Sequence, residues 1–504
     1  MKFNRSGGIL LHPTSLPGRY GMGDLGPEAY RFVDWLASTG CKLWQILPLG
    51  PTGYGDSPYQ CFSAFAGNPY LISFDGLIED GLLSEDDFAD MPEFDASSSG
   101  TMSRVDFGLL IPWKLDLLQK AFSRLSSMPD AFRKEFKRFC KDNDSWLDDY
   151  ALFMSIKEAN GGGAWSGWDA AIRKRKPAAM EKARTEYAES VQRYSFYQFL
   201  FFRQWTKLRA YAHEKGITII GDIPIFIAYD SADAWANPKL FFLDEDGLPT
   251  VVAGVPPDYF SATGQLWGNP LYRWSAHKKT GYEWWIERFR SVLSLVDIVR
   301  LDHFRGFAGY YEIPFGSATA ETGRWVTGPG KDFFQTLLPA LSGKKAETLP
   351  IIAEDLGVIT KDVAELRDAF HLPGMKILQF GFTKPDDPFL PHNYTSNCVA
   401  YTGTHDNDTV RGWYETAPEH ERDYARRYMG VSGADIAWDM IRAVWSSVAV
   451  YAVAPMQDLL SLSGDARMNF PSKLGGNWEW RMSEADMSEG LAKRLTEFNH
   501  LYLR

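Results

Sequence analysis

The sequence lacks the cysteine patterns that mark disulfide frameworks and structural zinc sites. Both kinds of site use closely spaced cysteines, such as CxxC pairs, and no such pair occurs among the 504 residues. Scattered, reduced thiols are typical of a cytoplasmic protein, so we predict a cytoplasmic location. The four cysteines are Cys41, Cys61, Cys140 and Cys398.

Long hydrophobic runs and an excess of positive charge are also missing. No run reaches the roughly 18 apolar residues of a transmembrane helix, and the apolar part of the opening MKFNRSGGILLHPTSL is too short for a signal peptide. Lysine and arginine total 53 against 64 acidic residues, which gives a net charge of -11. Nucleic acids and anionic membranes are bound through basic patches, so we predict neither as a partner, and no obligatory protein partner either.

Three further absences concern cofactors and metals. No GxGxxG or GxxxxGK[ST] loop is present to hold the phosphates of a nucleotide. No His-x-His pair occurs, although THDND at 404–408 has the oxygen groups of a cation site. The DEDG turn at 244–247 lacks the other ligands of a calcium loop. We therefore predict no metal and no cofactor.

What the sequence does contain is eight short runs of β-branched and apolar residues, several of them separated by helical patterns. The runs are almost continuously hydrophobic, as strands covered on both faces are. This alternation predicts an α/β fold, a (β/α)₈ barrel of the TIM type that forms one catalytic domain over 1–504, with a doubly wound sheet as the alternative. The runs are 7–16, 41–50, 217–226, 296–307, 349–357, 375–382, 397–409 and 453–460.

The uneven spacing of these runs predicts two insertions. The second and third runs lie much further apart than a plain βα unit requires, so we predict an inserted subdomain at approximately 60–200. Its sequence indicates an aromatic loop followed by a mostly helical stretch. A second insertion, approximately 230–275, is crowded with glycine, proline and aromatic residues, which is typical of an ordered loop covering a site.

Charged residues follow several of the runs, at the position where barrel enzymes carry their active sites. A charged side chain is costly there unless it is paired or functional. Because the carboxyl ends of all eight strands meet at one rim, we expect these residues to converge. They are Asp222 in the third run, Arg300 and Asp302 in the fourth, Glu354 in the fifth, and His405 and Asp406 in the seventh.

Three carboxylates with an arginine and a histidine fit the retaining route of glycoside chemistry, which needs an ionised nucleophile and a protonated acid/base. Arg300 lies on the same strand face as Asp302 and favours its ionised form, so we predict Asp302 as the nucleophile. Glu354 has no adjacent cation in the sequence, and burial near other carboxylates raises a pKa, as an acid catalyst requires. Asp406 and His405 would hydrogen-bond sugar hydroxyls.

Other interpretations of the same residues stay open at this point. Arg300 and Asp302 could form a purely structural ion pair at the barrel rim. Asp355 competes with Glu354 for the acid role, because strand alternation sends the two to opposite faces and the run IIAED does not say which side chain points inward. We predict a structural role for His12.

Several segments together resemble glycoside hydrolase family 77, the amylomaltases or 4-α-glucanotransferases. They are RLDHFRGF, IIAEDLG, TGTHDNDT and GDIPIF, with PLGPTGYGDSPYQ near the start and ARMNFPSKLGGNWEWR near the end. The resemblance extends from about residue 7 to 482. It implies a (β/α)₈ barrel with inserted subdomains, related to the α-amylases.

Carried over motif by motif, the resemblance implies Asp302 as nucleophile, Glu354 as acid/base and Asp406 as the carboxylate that stabilises the transition state. Ser472 stands where we expect glycine, which affects only a local turn. The implied substrate-binding residues are Tyr59, Asp222, Arg300 and His405, together with Asp258, Tyr259, Trp267 and Asn269 on a lid over the acceptor side.

The predicted function is that of a 4-α-glucanotransferase. It would transfer α-1,4-glucan segments between malto-oligosaccharides, or to glucose, through a covalent glucosyl-enzyme intermediate. An α-amylase-type retaining hydrolase and a non-catalytic glucan-binding barrel remain as alternatives.

Overall fold

The structure, a computed structural model, describes residues 3–94, 103–257, 261–342, 348–357, 359–471, 473 and 475–504. Twelve β-strands occur within these residues. They are β1 (Ser6–Leu10), β2 (Leu43–Gln45), β3 (Thr218–Ile223), β4 (Val251–Val255), β5 (Gln265–Pro270), β6 (Ile298–Leu301), β7 (Gly309–Pro314), β8 (Arg324–Thr327), β9 (Ile351–Ala353), β10 (Gly374–Ile377), β11 (Cys398–Tyr401) and β12 (Tyr451–Pro455).

The same described residues contain nineteen α-helices, and none of them is long and apolar enough to cross a bilayer. They are α1 (Pro27–Ser38), α2 (Phe74–Glu79), α3 (Phe107–Ser123), α4 (Asp130–Asp142), α5 (Asp144–Ala159), α6 (Ala170–Arg173), α7 (Pro177–Glu186), α8 (Ala188–Glu214), α9 (Ala232–Ala236), α10 (Trp274–Lys279), α11 (Glu283–Leu295), α12 (Arg305–Ala308), α13 (Gly330–Ser342), α14 (Lys361–Ala369), α15 (Val410–Thr416), α16 (Glu419–Met429), α17 (Ile436–Ser446), α18 (Met456–Leu459) and α19 (Glu489–Tyr502).

Eight of the strands form a parallel barrel. Their spatial order is β10, β11, β12, β1, β2, β3, β6 and β9, and every neighbouring pair in this order is parallel. Each of the eight hydrophobic runs supplies one of these strands, in the predicted order along the chain. The predicted (β/α)₈ barrel is therefore confirmed.

The barrel closes where β9 meets β10. The backbone N–H of Ala353 donates to the carbonyl of Pro373 at 2.9 Å. The carboxylate of Asp355 accepts the N–H of Met375 at 2.7 Å, so a side chain continues the junction that the backbone begins. A Cβ at Gly374 would lie 2.4 Å from this carboxylate, which explains the glycine at the start of β10.

A second, antiparallel sheet lies beside the barrel, in the order β5, β4, β7 and β8. Its strands β4 and β5 come from the stretch 230–275, where the sequence predicted an ordered loop. Part of this stretch forms the β4–β5 hairpin, and β4 also pairs on its other edge with β7, which follows the fourth barrel strand. That the stretch covers the site stays a prediction. Trp267, the aromatic residue of β5, lies close to the end of β6, where its ring contacts that of His303.

Helices α2 to α8 fill most of the chain between β2 and β3. Tyr187 separates α7 from α8, the long helix that precedes β3. Helix α8 packs beside α11, the helix before β6, and the indole N–H of Trp205 donates to the carbonyl of Leu295 at the end of α11 at 2.9 Å. The boundaries of an inserted subdomain at 60–200 stay a prediction.

We predict that Asp355→Ala lowers the free energy of unfolding by about 2 to 4 kcal/mol, because it leaves a buried N–H and a partly buried guanidinium without their acceptor. The side chain of Asp355 is 4% exposed and also binds Arg367. Asp368 contacts the same arginine from the surface, with 63% of its side chain exposed, so Asp368→Ala is the control. Thermal and denaturant unfolding measure both changes. Equal losses in the two variants would contradict the structural role of Asp355.

Candidate active site

The charged residues predicted at the strand ends converge at one end of the barrel. Asp302 and Glu354 directly follow β6 and β9, and His405 and Asp406 lie in the loop after β11. An open cavity of about 760 Å³ is lined by Asp302, His405 and Asp406. The residues from the sequence prediction that line it are Tyr59, Trp267, Asn269, Asp302, His405 and Asp406.

Arg300 connects two carboxylates. It stands opposite Asp222 in the pairing of β3 with β6, and its Nη1 lies 2.6 Å from Asp222 Oδ2. Its Nη2 lies 2.9 Å from Asp302 Oδ1. The Arg300 side chain is 4% exposed and that of Asp302 is 28% exposed, so a buried cation holds a carboxylate that faces the cavity.

The structure therefore contains the Arg300–Asp302 ion pair that the sequence left as an alternative. The partner of Arg300 that lies away from the cavity is Asp222. The Asp222 side chain is fully buried and is held by the guanidinium together with the hydroxyl of Tyr59, which donates to it at 3.1 Å. Burial, followed by the negative charge of Asp222, raises the pKa of Tyr59 well above its usual range, so the hydroxyl keeps the proton that it donates.

Aromatic rings form one wall of the site. The ring of Tyr59 stacks on that of His405 with centroids 5.1 Å apart and planes at 11°. Trp478 packs against both rings, at 5.9 and 5.5 Å. Burial lowers the pKa of His405, so its imidazole is neutral at neutral pH. His12, for which we predicted a structural role, hydrogen-bonds Thr14 and the carbonyl of Pro48.

Glu354 carries a carboxyl group that retains its proton more strongly than usual. Burial, and then the negative charge of Asp302, raise its pKa to about 7, against the opposing effect of Arg300. Both oxygens are fixed by backbone donors: the N–H of His303 reaches Oε2 at 2.7 Å, and that of Leu356 reaches Oε1 at 2.8 Å. A buried carboxyl group beside a negative charge is the environment that an acid catalyst requires.

The structure separates Glu354 from its neighbour Asp355. The Asp355 carboxylate is bound at the β9–β10 junction by Arg367 and by the N–H of Met375. Strand alternation has thus sent Asp355 into the barrel wall and left Glu354 beside Asp302.

Asp406 is held by two residues that the sequence analysis did not assign. Asn469 donates its side-chain N–H to Asp406 Oδ1 at 2.6 Å and its backbone N–H to the carbonyl of His405 at 3.0 Å. Arg467 donates to the backbone carbonyl of Asp406 at 2.6 Å. Both residues lie in ARMNFPSKLGGNWEWR, so the motif was visible, but its contact with the loop after β11 was not.

The predicted acceptor-side residues occupy β5 and its surroundings. Trp267 lines the cavity and meets the ring of His303 edge to face, with centroids 4.9 Å apart at 81°. Asn269 is buried and donates to the carbonyl of Ile227 at 2.8 Å, so its amide N–H is engaged within the protein. Asp258 and Tyr259, like Ser472, lie outside the described residues.

The described part of the chain holds no group of three or more His, Cys, Asp or Glu side chains arranged to bind a metal ion. What the site does assemble is a cation-bound carboxylate and a third carboxylate that both line one cavity with an aromatic wall, and a carboxyl group of raised pKa beside the first of them. Such a set can carry out nucleophilic attack and proton transfer on a glycoside.

Comparisons with known proteins agree with this chemistry. The profile of glycoside hydrolase family 77, described as 4-alpha-glucanotransferase, matches residues 11–487. The chain is 49% identical to the 4-alpha-glucanotransferase of Synechocystis sp. over 505 residues, which is 99% of this chain and 98% of the relative. It is 49% identical to that of Thermus thermophilus, with 98% of each chain covered. The solved structure of amylomaltase from Streptococcus agalactiae in complex with acarbose superposes with a TM-score of 0.94 at 42% identity, covering 99% of both chains.

The raised pKa of Glu354 predicts a pH-dependent effect on stability. In the unfolded chain the carboxyl has its ordinary pKa of 4.5, and in the folded protein about 7. The folded state binds this proton more tightly, so its contribution to stability is full below pH 4.5 and is lost as the pH rises through 7. Glu354→Gln removes the titration. Relative to the native protein, its free energy of unfolding should therefore gain up to about 3 kcal/mol between pH 4.5 and about pH 8.

Calorimetry of both proteins across this pH range measures the difference. If the amide of Glu354→Gln forms weaker hydrogen bonds, its free energy of unfolding falls by the same amount at every pH, so the pH dependence of the difference is unaffected. A difference in stability that does not change with pH would contradict the raised pKa.

Proposed function

This chain belongs to glycoside hydrolase family 77 and is a 4-α-glucanotransferase, and we propose that it acts by a retaining double displacement through a covalent glucosyl intermediate on Asp302. The observation that carries the proposal is the position of Asp302, which faces the cavity while bound to the buried Arg300 at 2.9 Å. A permanently charged guanidinium favours the ionised carboxylate that a nucleophile requires.

In the first half-reaction a carboxylate oxygen of Asp302 attacks the anomeric carbon of the donor glucan. The bond from that carbon to the glycosidic oxygen breaks as Glu354 donates its proton to the leaving oxygen. Its pKa of about 7 supports this role, because the group holds a proton near neutral pH and still releases it readily. The shortened glucan departs with a new 4-hydroxyl group.

In the second half-reaction the 4-hydroxyl of an acceptor, glucose or another malto-oligosaccharide, enters the vacated side. Glu354, now a carboxylate, takes its proton as the oxygen attacks the anomeric carbon and the bond to Asp302 breaks. The α configuration is restored by the second inversion. The enzyme returns with Glu354 protonated and Asp302 ionised.

The remaining side chains bind and orient the sugar in this scheme. We assign to Asp406 the hydroxyl contacts that strengthen as the ring flattens toward the oxocarbenium-like state. His405 and Tyr59 form the stacked wall beside it. Asp222 supports the site through Arg300 rather than through the substrate.

Transfer to a sugar requires that water lose the competition for the intermediate. Bulk water is present at about 55 M, so the acceptor must be held at a high effective concentration in a site that excludes water. We assign this task to the acceptor side formed by Trp267 and Asn269, with Asp258 and Tyr259 as its predicted continuation. The cytoplasmic location and the absence of an obligatory protein partner stay predictions.

The first test is the nucleophile. Asp302→Asn should lower turnover of malto-oligosaccharides by about four orders of magnitude or more, because no bond to the anomeric carbon can form. Maltodextrin binding, measured by calorimetry, should stay within about threefold, because the sugar contacts remain. Asp386→Asn, at a carboxylate that is 80% exposed, is the control for the substitution itself. Retained turnover in Asp302→Asn would refute the assignment.

The second test separates transfer from hydrolysis. Maltotriose incubated with the enzyme should give glucose and a series of longer chains with little net gain of reducing ends, because each bond broken is replaced by one formed. Time-resolved chromatography with a reducing-end assay measures both quantities. A gain of reducing ends equal to the number of bonds cleaved would show that water takes the glucan instead.

A further inference from the structure

His303, the residue directly after the proposed nucleophile, has a left-handed backbone with φ of +48°. Such a conformation is uncommon for a residue with a side chain, although histidine, asparagine and aspartate adopt it more readily than most. Strained backbone that persists next to reacting groups points to a role for the strain. No step of the proposed reaction uses the imidazole of His303.

The turn at His303 directs two consecutive N–H groups at Glu354. The N–H of His303 donates to the carboxyl oxygen Oε2 at 2.7 Å, and the N–H of Phe304 donates to the backbone carbonyl of Glu354 at 3.1 Å. The N–H of Glu354 donates in turn to the carbonyl of Leu301 at 3.1 Å. The segment that continues β6 therefore holds both the backbone and the side chain of Glu354.

The His303 ring is packed rather than available for proton transfer. It meets Trp267 edge to face at 4.9 Å and lies 6.3 Å from Phe226. A Cβ at Gly306 would approach the ring to 3.2 Å, so the following turn leaves room for it. Burial, and then the positive charge of Arg305, lower the pKa of His303 to about 3, so the imidazole is uncharged at neutral pH.

We propose that His303 is a positioning residue whose left-handed backbone presents its N–H to Glu354 and whose ring, wedged against Trp267, fixes that conformation from the acceptor side. The inference rests on the proposed roles of Asp302 and Glu354. It adds that the residue next to the nucleophile orients the acid/base, so one turn of the backbone fixes the positions of both reacting carboxyl groups.

This position matters because Glu354 changes charge twice in each cycle. When it protonates the leaving oxygen it becomes a carboxylate, and the bond from the His303 N–H strengthens as that charge develops. The charged groups that face Glu354 are Asp302, which opposes the new charge, and Arg300, which favours it. Without the His303 N–H, only the N–H of Leu356 would hold the carboxyl group, by its other oxygen.

His303→Val tests the inference, because a β-branched residue disfavours positive φ. With maltotriose, kcat should fall about 100-fold while KM stays within about twofold, since sugar contacts remain and only the acid is misplaced. The alkaline limb of the pH profile of kcat should move upward by about half a unit or more, because a donor to the carboxylate is lost.

A glycosyl donor whose leaving group needs no protonation gives the most selective measurement. Fluoride leaves without protonation, so the single-turnover burst of fluoride from α-maltotriosyl fluoride should fall less than about fivefold in His303→Val. His303→Gly keeps the N–H and accepts positive φ at no steric cost, so it should keep the native alkaline limb and lose less than about tenfold in kcat. If the valine variant does not fold, His303→Ala, which also disfavours positive φ, takes its place in the same measurements.

His371→Val is the matched control. His371 also has a left-handed backbone, with φ of +54°, but it lies exposed in the turn before β10. The same substitution there should lower stability and leave kcat, KM and the pH profile unchanged. This comparison separates the strain of the substitution from its effect on Glu354.

The inference is overturned if His303→Val loses fluoride release and maltotriose turnover equally, or if the alkaline limb of its pH profile stays in place or moves down. It is also overturned if His303→Gly loses as much kcat as Glu354→Gln, which removes the acid. Glu354→Gln is measured alongside. If Glu354→Gln itself spares the fluoride burst, the acid/base assignment stands, and a failure in the His303 variants then belongs to this inference alone. If Glu354→Gln loses both reactions equally, the proposed role of Glu354 fails first.

Discussion

A single buried cation organises this site. The guanidinium of Arg300, with 4% of its side chain exposed, binds the fully buried Asp222 on one side and Asp302 at the cavity on the other. A buried arginine is tolerable only if its charge is matched, and the planar fork of donors lets it satisfy two carboxylates at once. Asp222 has no access to the cavity and stays beside the guanidinium. In the proposed mechanism Asp302 exchanges its contact with the arginine for a bond to sugar, while Asp222 remains as the arginine's second partner.

The other groups follow from this arrangement. The negative charge of Asp302 adds to burial in raising the pKa of Glu354 to about 7, so the proposed nucleophile helps to keep the proposed acid protonated. The neutral rings of Tyr59 and His405 pack beside the charged pair without adding charge. In the proposed inference the same turn of chain that ends β6 also aims Glu354 through the N–H of His303. The positions of the proposed nucleophile, the proposed acid/base and the supporting cation thus depend on the register between β3, β6 and β9.

Much of this was accessible from the sequence, because it depends on short patterns. All eight barrel strands could be predicted, since strands covered on both faces leave continuous hydrophobic runs. The convergence of Arg300, Asp302 and Glu354 followed from their places at strand ends. Contacts between distant segments were not accessible: Asn469 and Arg467 reach Asp406 from a loop more than 60 residues along the chain, at separations of 63 and 61. The left-handed turn at His303 could not be predicted either, because histidine indicates a positive φ far less strongly than glycine does. The β4–β5 hairpin was also missed, because its sheet depends on pairing with β7 further along the chain.

The central claim is that Asp302 becomes covalently bonded to the glucan. Glu354→Gln treated with α-maltotriosyl fluoride tests it most directly, because fluoride leaves without an acid and the missing base slows release of the intermediate. Intact-mass spectrometry should then show one added maltotriosyl unit per chain, and proteolysis should place it on the peptide that contains Asp302. A chain that releases fluoride without gaining this mass, or one that carries the sugar on another residue, would contradict the account.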